Sequence, residues 1–418
     1  MNGDFADNLI YKPSKQWQLP VRIVFFSAIL TILTINSIGI FIRQQRVEEH
    51  FVSPVVQGKE NIAASTKRIV QQKKEVIGFL PSWMIAKEVK IEPRNLTQII
   101  YFGLGANEQG ELVKYDSQGN ALVEWTYFTS DYFKALREEA KYSKTKMLLA
   151  ITNFDNTSID TLTSNPTAVD RLIGQLKAII ADYQLDGINL NFEYVSDTDF
   201  PTAKYLNLFL EKLTQELKKD KQNLIISFDV NATALMRDGA YDMVKIGELV
   251  DEVILMGYDY HRVNSSVAGP VAPIAGEANE HSIQESLRSL AGRVPYDKVV
   301  LGLPFYGYEW QTLNKTHKSI TVTNTGALAT YKRVKELIAA RSDLQIHWDE
   351  LAESPWLTYN QSGAVKQIYY ENERSMTKKL ELVNSKKMAG MAIWALGYEG
   401  EYPDLWTVIN DWKSKLSL

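Results

Sequence analysis

Between Asp186 and Tyr194 the chain reads DGINLNFEY, in which Asn189, Asn191 and Glu193 alternate with Ile188, Leu190 and Phe192. Alternate side chains of a strand share a face, so two amides and a carboxyl project in one row. Pointed into a protein interior, such a row costs several kcal/mol unless it is hydrogen-bonded or functional. An isolated NxNxE also fits a satisfied polar layer or a solvated edge strand, so its surroundings must decide. Other chemistry has little support. With no cysteine there is no thiolate nucleophile or thiolate metal site, and His50, His261, His281, His317 and His347 have no ligand spacing, so no metal is expected. Gly103-Leu-Gly105 lacks the third glycine or GK[ST] ending of a phosphate loop and reads as a turn. A G-x-S-x-G nucleophile elbow is absent, and no cofactor is implied.

The elements that would hold the row are legible as recurring β-branched or aromatic runs. They are VIGFL at 76, TQIIYFGLG at 97, KMLLAI at 146, DGINLNFEY at 186, NLIISFDV at 223, DEVILMGYDY at 251, KVVLGLPFYG at 298 and MAGMAIWAL at 388. Several are continuously apolar, as strands of a parallel sheet covered on both faces should be. Between them lie helical periods. Val169, Leu172, Ile173, Leu176, Ile179, Ile180 and Tyr183 recur at three and four, as do Leu206, Phe209, Leu210, Leu213 and Leu217. Eight such alternations over about 340 residues predict an α/β fold, a (β/α)8 TIM barrel, with a doubly wound open sheet as the competitor. Residues 310–375 contain the strand-like pieces SITVT, WLTYN and VKQIYY around the helix TYKRVKELIAA, which predicts a small α+β insertion between strands seven and eight. Barrel chemistry sits at the C-terminal ends of strands, where Glu193 would lie.

Upstream of the barrel, Ile23 to Ile42 is uncharged for about 20 residues, enough to span roughly 30 Å as a helix. A cleaved signal peptide would have a shorter apolar region and a small-x-small site, whereas this run ends in Arg43. The expected organisation is a cytoplasmic segment 1–22, a transmembrane anchor 23–42, a polar linker 43–74 and a domain 75–418. Lys12, Lys15 and Arg22 before the helix balance Arg43, Arg46 and Lys59 after it, so charge does not choose the orientation. The net charge of −4 and the scattered Lys and Arg argue against a nucleic-acid partner.

Several of these segments together resemble a known family. DGINLNFE resembles the DGxDxDxE signature of glycoside hydrolase family 18, the chitinases and related N-acetylglucosaminidases. VIGFLPSW resembles that family's first strand, QIIYFGLGANEQGEL its second, MGYDYH its Met-x-Tyr-Asp sixth strand, GLPFYGYEW its seventh, and AIWALGYE the eighth strand with a floor tryptophan. The resemblance runs from about Val76 to Trp412, and residues 347–383 are similar to the branch with spore-cortex-lytic and peptidoglycan-directed members. It implies a hydrolase of β-1,4-linked N-acetylglucosamine glycans. In that reaction Glu193 protonates the glycosidic oxygen while the substrate's own 2-acetamido group attacks the anomeric carbon, with retention. Burial would keep Glu193 protonated. Tyr258 would bind the acetamido oxygen, Asp259 would share that subsite, and Trp394 would form its floor. Asn189, Met256, Phe102 and Tyr306 would complete the substrate-binding set. Without that context, Tyr258 and Trp394 would read as core aromatics. A glycan substrate would place the domain outside the cytoplasmic membrane, tethered by residues 23–42.

The departure from the signature lies at Asn189 and Asn191, where the family carries aspartates. An asparagine can accept a hydrogen bond from the acetamide N–H but cannot offset the positive charge of the oxazolinium intermediate. Charge-assisted hydrogen bonds are roughly twice as strong as neutral ones, so the expected loss is about 1–3 kcal/mol, or about 5- to 150-fold in rate. Asn followed two residues later by Glu is similar to another substrate-assisted family, glycoside hydrolase family 85. Without a neighbouring carboxylate the protonation of Glu193 would rest on desolvation, with a lower pH optimum. A glycan-binding barrel without turnover and a barrel of unrelated chemistry are the competing readings.

Overall fold

The structure, a computed structural model, describes residues 74–194, 201–232, 234–236, 240–278 and 280–415. Eight parallel strands appear where the apolar runs lie: β1 (Glu75–Pro81), β2 (Gln98–Ala106), β3 (Lys146–Asn153), β4 (Gly187–Phe192), β5 (Ile225–Asn231), β6 (Glu252–Met256), β7 (Val299–Pro304) and β8 (Gly390–Trp394). Each pairs with the next, and β1 also pairs with β8 through Glu75↔Gly390 to Gly78↔Ile393. That pairing closes the sheet into a (β/α)8 barrel and disposes of the open-sheet alternative.

Period two divides each strand between two cores. Ile77, Phe79, Ile100, Leu148, Ala150, Ile254, Val300 and Ala392 fill the barrel interior, while the alternate residues join the larger core under the helices. The helix Pro166–Tyr183 starts where Asn165 accepts hydrogen bonds from the N–H groups of Thr167 and Ala168, with proline in the first turn, where no donor is lost. It buries Val169, Leu172, Ile173, Leu176, Ile179 and Ile180. The helix Thr202–Asp220 likewise buries Leu206, Phe209, Leu210, Leu213 and Leu217. Truncating one of these fully buried leucines to alanine would cost about 2–5 kcal/mol.

Between β7 and β8 stands a five-stranded antiparallel sheet made of Tyr306–Thr312, Ala327–Thr330, Gln345–Asp349, Ser354–Gln361 and Ala364–Tyr369, with the helix Tyr331–Ala340. Two expectations need correction. In SITVT only Ile320 and Thr321 bridge to other segments, and no strand forms there; the strands that do form include Ala327–Thr330 and Gln345–Asp349. Gly103-Leu-Gly105 is not a turn, since both glycines lie within β2. Gly103 is needed for close approach, because a Cβ there would sit 2.7 Å from the carbonyl oxygen of Ala150 on β3.

The apolar run 23–42 and residues 43–73 of the linker lie outside the described residues. Among the described residues no helix is long and apolar enough to cross a membrane.

Candidate functional site

The row on β4 is oriented by pairing on both sides, with β3 through Ala150↔Asn189 and Thr152↔Asn191 and with β5 through Asn189↔Ser227. Asn189 is fully buried, and its Nδ2 donates to Ser227 Oγ at 3.0 Å and to Asp229 Oδ1 at 2.6 Å. Asn191 lies one pleat higher and is buried as well. Glu193 follows the end of the strand, half-buried, with its backbone N–H bonded to the Asn153 carbonyl at 3.0 Å. Its Oε2 lies 3.4 Å from Asn231 Nδ2.

Above the row opens a cavity of about 400 Å³. Asn191, Glu193, Phe102, Met256, Tyr258, Asp259, Tyr306 and Trp394 all line it, as do Asp229, Asn231, Arg262 and Tyr308. Among the residues singled out from the sequence only Asn189 stands below, as a support. Trp394 forms an aromatic floor with Phe102, edge-on at 4.7 Å between ring centres, and with Phe79 at 5.7 Å. Tyr258 fits against β7 because residue 302 is glycine: a Cβ there would lie 2.9 Å from the Leu255 carbonyl and 3.1 Å from the Tyr258 ring.

The inserted sheet contributes directly to the cavity wall. Its first strand alternates Tyr306, Tyr308 and Trp310, and the hydroxyls of Tyr306 and Tyr308 both donate to Asp259 Oδ1, the latter at 2.9 Å. Asp259 adopts a left-handed backbone (φ 63°), and its carbonyl accepts from Arg262 Nε at 3.1 Å. Aspartate tolerates that region better than most residues. Tyr306 thus has a hydroxyl committed to Asp259 as well as a face on the cavity.

Burial raises the carboxyl of Glu193 above its usual range and Asp259 pushes in the same direction, while hydrogen bonds from Asn231 and Asn191 and the charge of Arg262 act against them. A carboxyl of raised proton affinity at the edge of such a cavity is suited to donating a proton. Asp229 is only 2% exposed and is raised much further, by burial and by Glu193, with the Asn189 amide opposing. Tyr258 is held well above the ordinary phenol range by burial, then by Asp229, Asp259 and Glu193, so its hydroxyl stays a donor.

The sequence leaves the protonation of Glu193 to desolvation alone, whereas Asp259 adds to it, and a further carboxyl in the same cavity is that of Asp229. It escaped the sequence reading although its signal is the same: in ISFDVN, Ser227, Asp229 and Asn231 alternate with Ile226, Phe228 and Val230. Arg262 and Tyr308 carry no comparable signal, since a loop and the inserted strand deliver them.

Comparison with known proteins agrees with this architecture. The chain is 25% identical over 351 residues to a probable chitinase 2 of Drosophila melanogaster, covering 77% of this chain and 72% of that protein. It is 24% identical over 287 residues to a cortical fragment-lytic enzyme of Bacillus subtilis (strain 168), covering 66% and 62%. In structure it is similar to a Group IV chitinase of Ostrinia furnacalis, with a TM-score of 0.69 at 22% identity over 82% of this chain and all of that one. The sequence pattern that describes the glycosyl hydrolases family 18 matches residues 75–399, which span the barrel from β1 to the loop after β8, and the chain belongs to that family.

Proposed function

We propose that the protein is a retaining, substrate-assisted glycosidase that cleaves β-1,4-linked N-acetylglucosamine glycans of peptidoglycan or chitin type. The observation that carries this reading is Glu193, a carboxyl whose proton affinity burial raises, at the edge of a cavity floored by Trp394. In this scheme Glu193 gives its proton to the glycosidic oxygen as the C1–O bond breaks and the substrate's acetamido oxygen closes on C1. Water then opens the ring and returns a proton to Glu193. Tyr258, a hydroxyl donor within the cavity, holds the acetamido oxygen, and Asn191 positions the amide. A peptidoglycan substrate accords with the likeness to a cortical fragment-lytic enzyme and a chitin-like one with the likeness to chitinases. Residues 23–42 would anchor the chain in the membrane, with the barrel on the outer side, where such glycans lie.

The test incubates the full-length chain with N-acetylglucosamine oligomers and with purified peptidoglycan. Turnover with retention, seen as the β-anomer appearing first by NMR and lost in Glu193→Gln, is expected. Binding without any turnover in the parent would instead support a glycan-binding barrel, the reading that the amides at 189 and 191 favour. Protease accessibility of the barrel in intact cells tests the placement outside the membrane.

A further inference from the structure

The fifth strand carries a carboxyl group, bonded to Asn189 of the β4 row, that the protonation of the glycosidic oxygen does not use. We propose that Asp229 supplies the counter-charge for the cationic intermediate, so that the carboxylate missing from β4 is delivered to the same place from β5. This inference rests on the substrate-assisted hydrolase reading above.

Register places the group. The pairs Asn189↔Ser227 and Leu190↔Phe228 set β4 against β5, and continuing them puts Asn191 opposite Asp229 and Glu193 opposite Asn231. The side chains agree, since Asn189 Nδ2 reaches Ser227 Oγ at 3.0 Å and Asn231 Nδ2 reaches Glu193 Oε2 at 3.4 Å. Asp229 therefore stands about one inter-strand spacing, roughly 4.8 Å, from the backbone of Asn191. Its side chain lines the cavity that Glu193 and Tyr258 also line.

The position is costly for any purely structural purpose. Ile254 is the partner of Asp229 on β6 and fills the interior with hydrocarbon, whereas a buried carboxyl costs several kcal/mol unless its polar atoms are matched. Asn189 Nδ2 donates to Oδ1 at 2.6 Å, which leaves the other carboxyl oxygen for a ligand. The Oδ1 atoms of Asn189 and Asn191 have no partner among the described residues, so neither amide's acceptor is spent on Asp229. The ionisable groups around Asp229 are Glu193 on β4 and Tyr258 after β6, with Asp259 and Arg262 acting on Glu193 in turn. Glu193 raises the proton affinity of Asp229, so the two titrate as a coupled pair. The productive form is the singly protonated tautomer with its proton on Glu193, the less populated of the two because burial raises Asp229 further than Glu193.

The chemistry then balances. Glu193 transfers its proton to the leaving oxygen, which keeps the electron pair of the broken C1–O bond. A lone pair of the acetamido oxygen forms the new bond to C1, and positive charge spreads over the ring that includes the amide nitrogen. The Asp229 carboxylate accepts a hydrogen bond from that N–H and faces the charge. Water next attacks C1, the acetamido oxygen regains its electron pair, and the water proton passes to Glu193.

The test uses the full-length chain and its Asp229→Asn, Asn191→Asp and double variants, with melting temperatures recorded for each. Two ligands separate charge from fit: the thiazoline analogue of di-N-acetylchitobiose, which carries the fused ring of the intermediate, and neutral tri-N-acetylchitotriose. In Asp229→Asn, thiazoline affinity should fall by about 10-fold or more, trisaccharide affinity should stay within about 3-fold, and kcat should fall by about 10- to 100-fold. The acid limb of the parent's pH–rate profile, where the pair gains its second proton, should vanish in that variant. Asn191→Asp should restore thiazoline binding and rate in the Asp229→Asn background yet give no gain in the parent, where two carboxylates would crowd one site. Equal loss of both ligands, or unchanged thiazoline binding, would overturn the proposal. If the parent hydrolyses nothing, the hydrolase reading fails, and the thiazoline comparison still decides whether Asp229 carries the counter-charge. If the parent turns over and Glu193→Gln does not, yet Asp229→Asn keeps both rate and thiazoline affinity, only the Asp229 proposal falls.

Discussion

Each end of the barrel carries a glutamate whose proton affinity burial raises, and the two differ in what else surrounds them. At the N-terminal end Glu252 takes a hydrogen bond from Gln98 Nε2 at 2.6 Å, and Gln98 also lies 3.4 Å from Glu75. Burial first and Glu75 second push Glu252 up to about 8. At the C-terminal end Glu193 is also raised by burial, but three further influences oppose the shift, and the group faces a cavity instead of a closed layer. Desolvation alone therefore does not mark a site of chemistry. What separates the two ends is access for a ligand.

Replacing each glutamate by its amide breaks the comparison cleanly. Glu193→Gln should lower kcat by about 10²- to 10⁴-fold, the usual worth of a positioned acid, with a melting temperature equal to or above the parent's. Glu252→Gln should do the reverse, leaving kcat/KM near the parent's and changing only the pH dependence of stability. The sign follows from linkage. A carboxyl whose folded pKa lies above its unfolded value stabilises the fold fully below pH 4.5 and loses that contribution as the pH climbs towards about 8. The amide variant lacks that slope, so it should exceed the parent at pH 9 by on the order of a few kcal/mol and match it near pH 4. Chemical denaturation at the two pH values measures the difference; equal gains at both would remove Glu252 as the titrating group.

A smaller effect tests the wall that the inserted sheet builds. Tyr308→Phe removes one of two hydroxyls bonded to Asp259. A loss of about 1 kcal/mol, or about 5-fold in kcat/KM, is expected. An unchanged value would mean that Tyr306 alone suffices to hold Asp259.

The same comparison explains what was legible beforehand. The eight strands and two long helices were visible because burial on both sheet faces and on one helix stripe leaves a mark in hydrophobic order. The β4 row was visible because period two makes three polar residues share a face. Asp229 obeys that rule too, but it sits on a strand whose apolar half dominates, and its significance comes from Asn189 on the neighbouring strand, a relation set by register. Glu252 and Gln98 likewise meet only when the barrel closes, being 154 positions apart. The inserted strands were harder still, since Ala327–Thr330 and Gln345–Asp349 are short and largely exposed, and period and hydrophobicity fade together on such edges.

The finest test of the contrast between the two ends is Asn231→Leu, which removes an amide that favours ionised Glu193 and keeps a similar volume. Asn191 and Arg262 would still favour the charged form, and Asp259 would still oppose it. Losing one donor and adding hydrocarbon both disfavour the carboxylate, so the proton affinity of Glu193 should rise. Because Glu193 must be protonated to act, activity is lost as the pH rises through its pKa, and the basic limb of the profile should move to higher pH. The bond measures 3.4 Å, beyond the usual 2.7–3.2 Å, so the move should be less than about one pH unit. A shift in the opposite direction would mean that Asn231 holds the protonated acid, and the two ends of the barrel would then be more alike than their hydrogen bonds indicate.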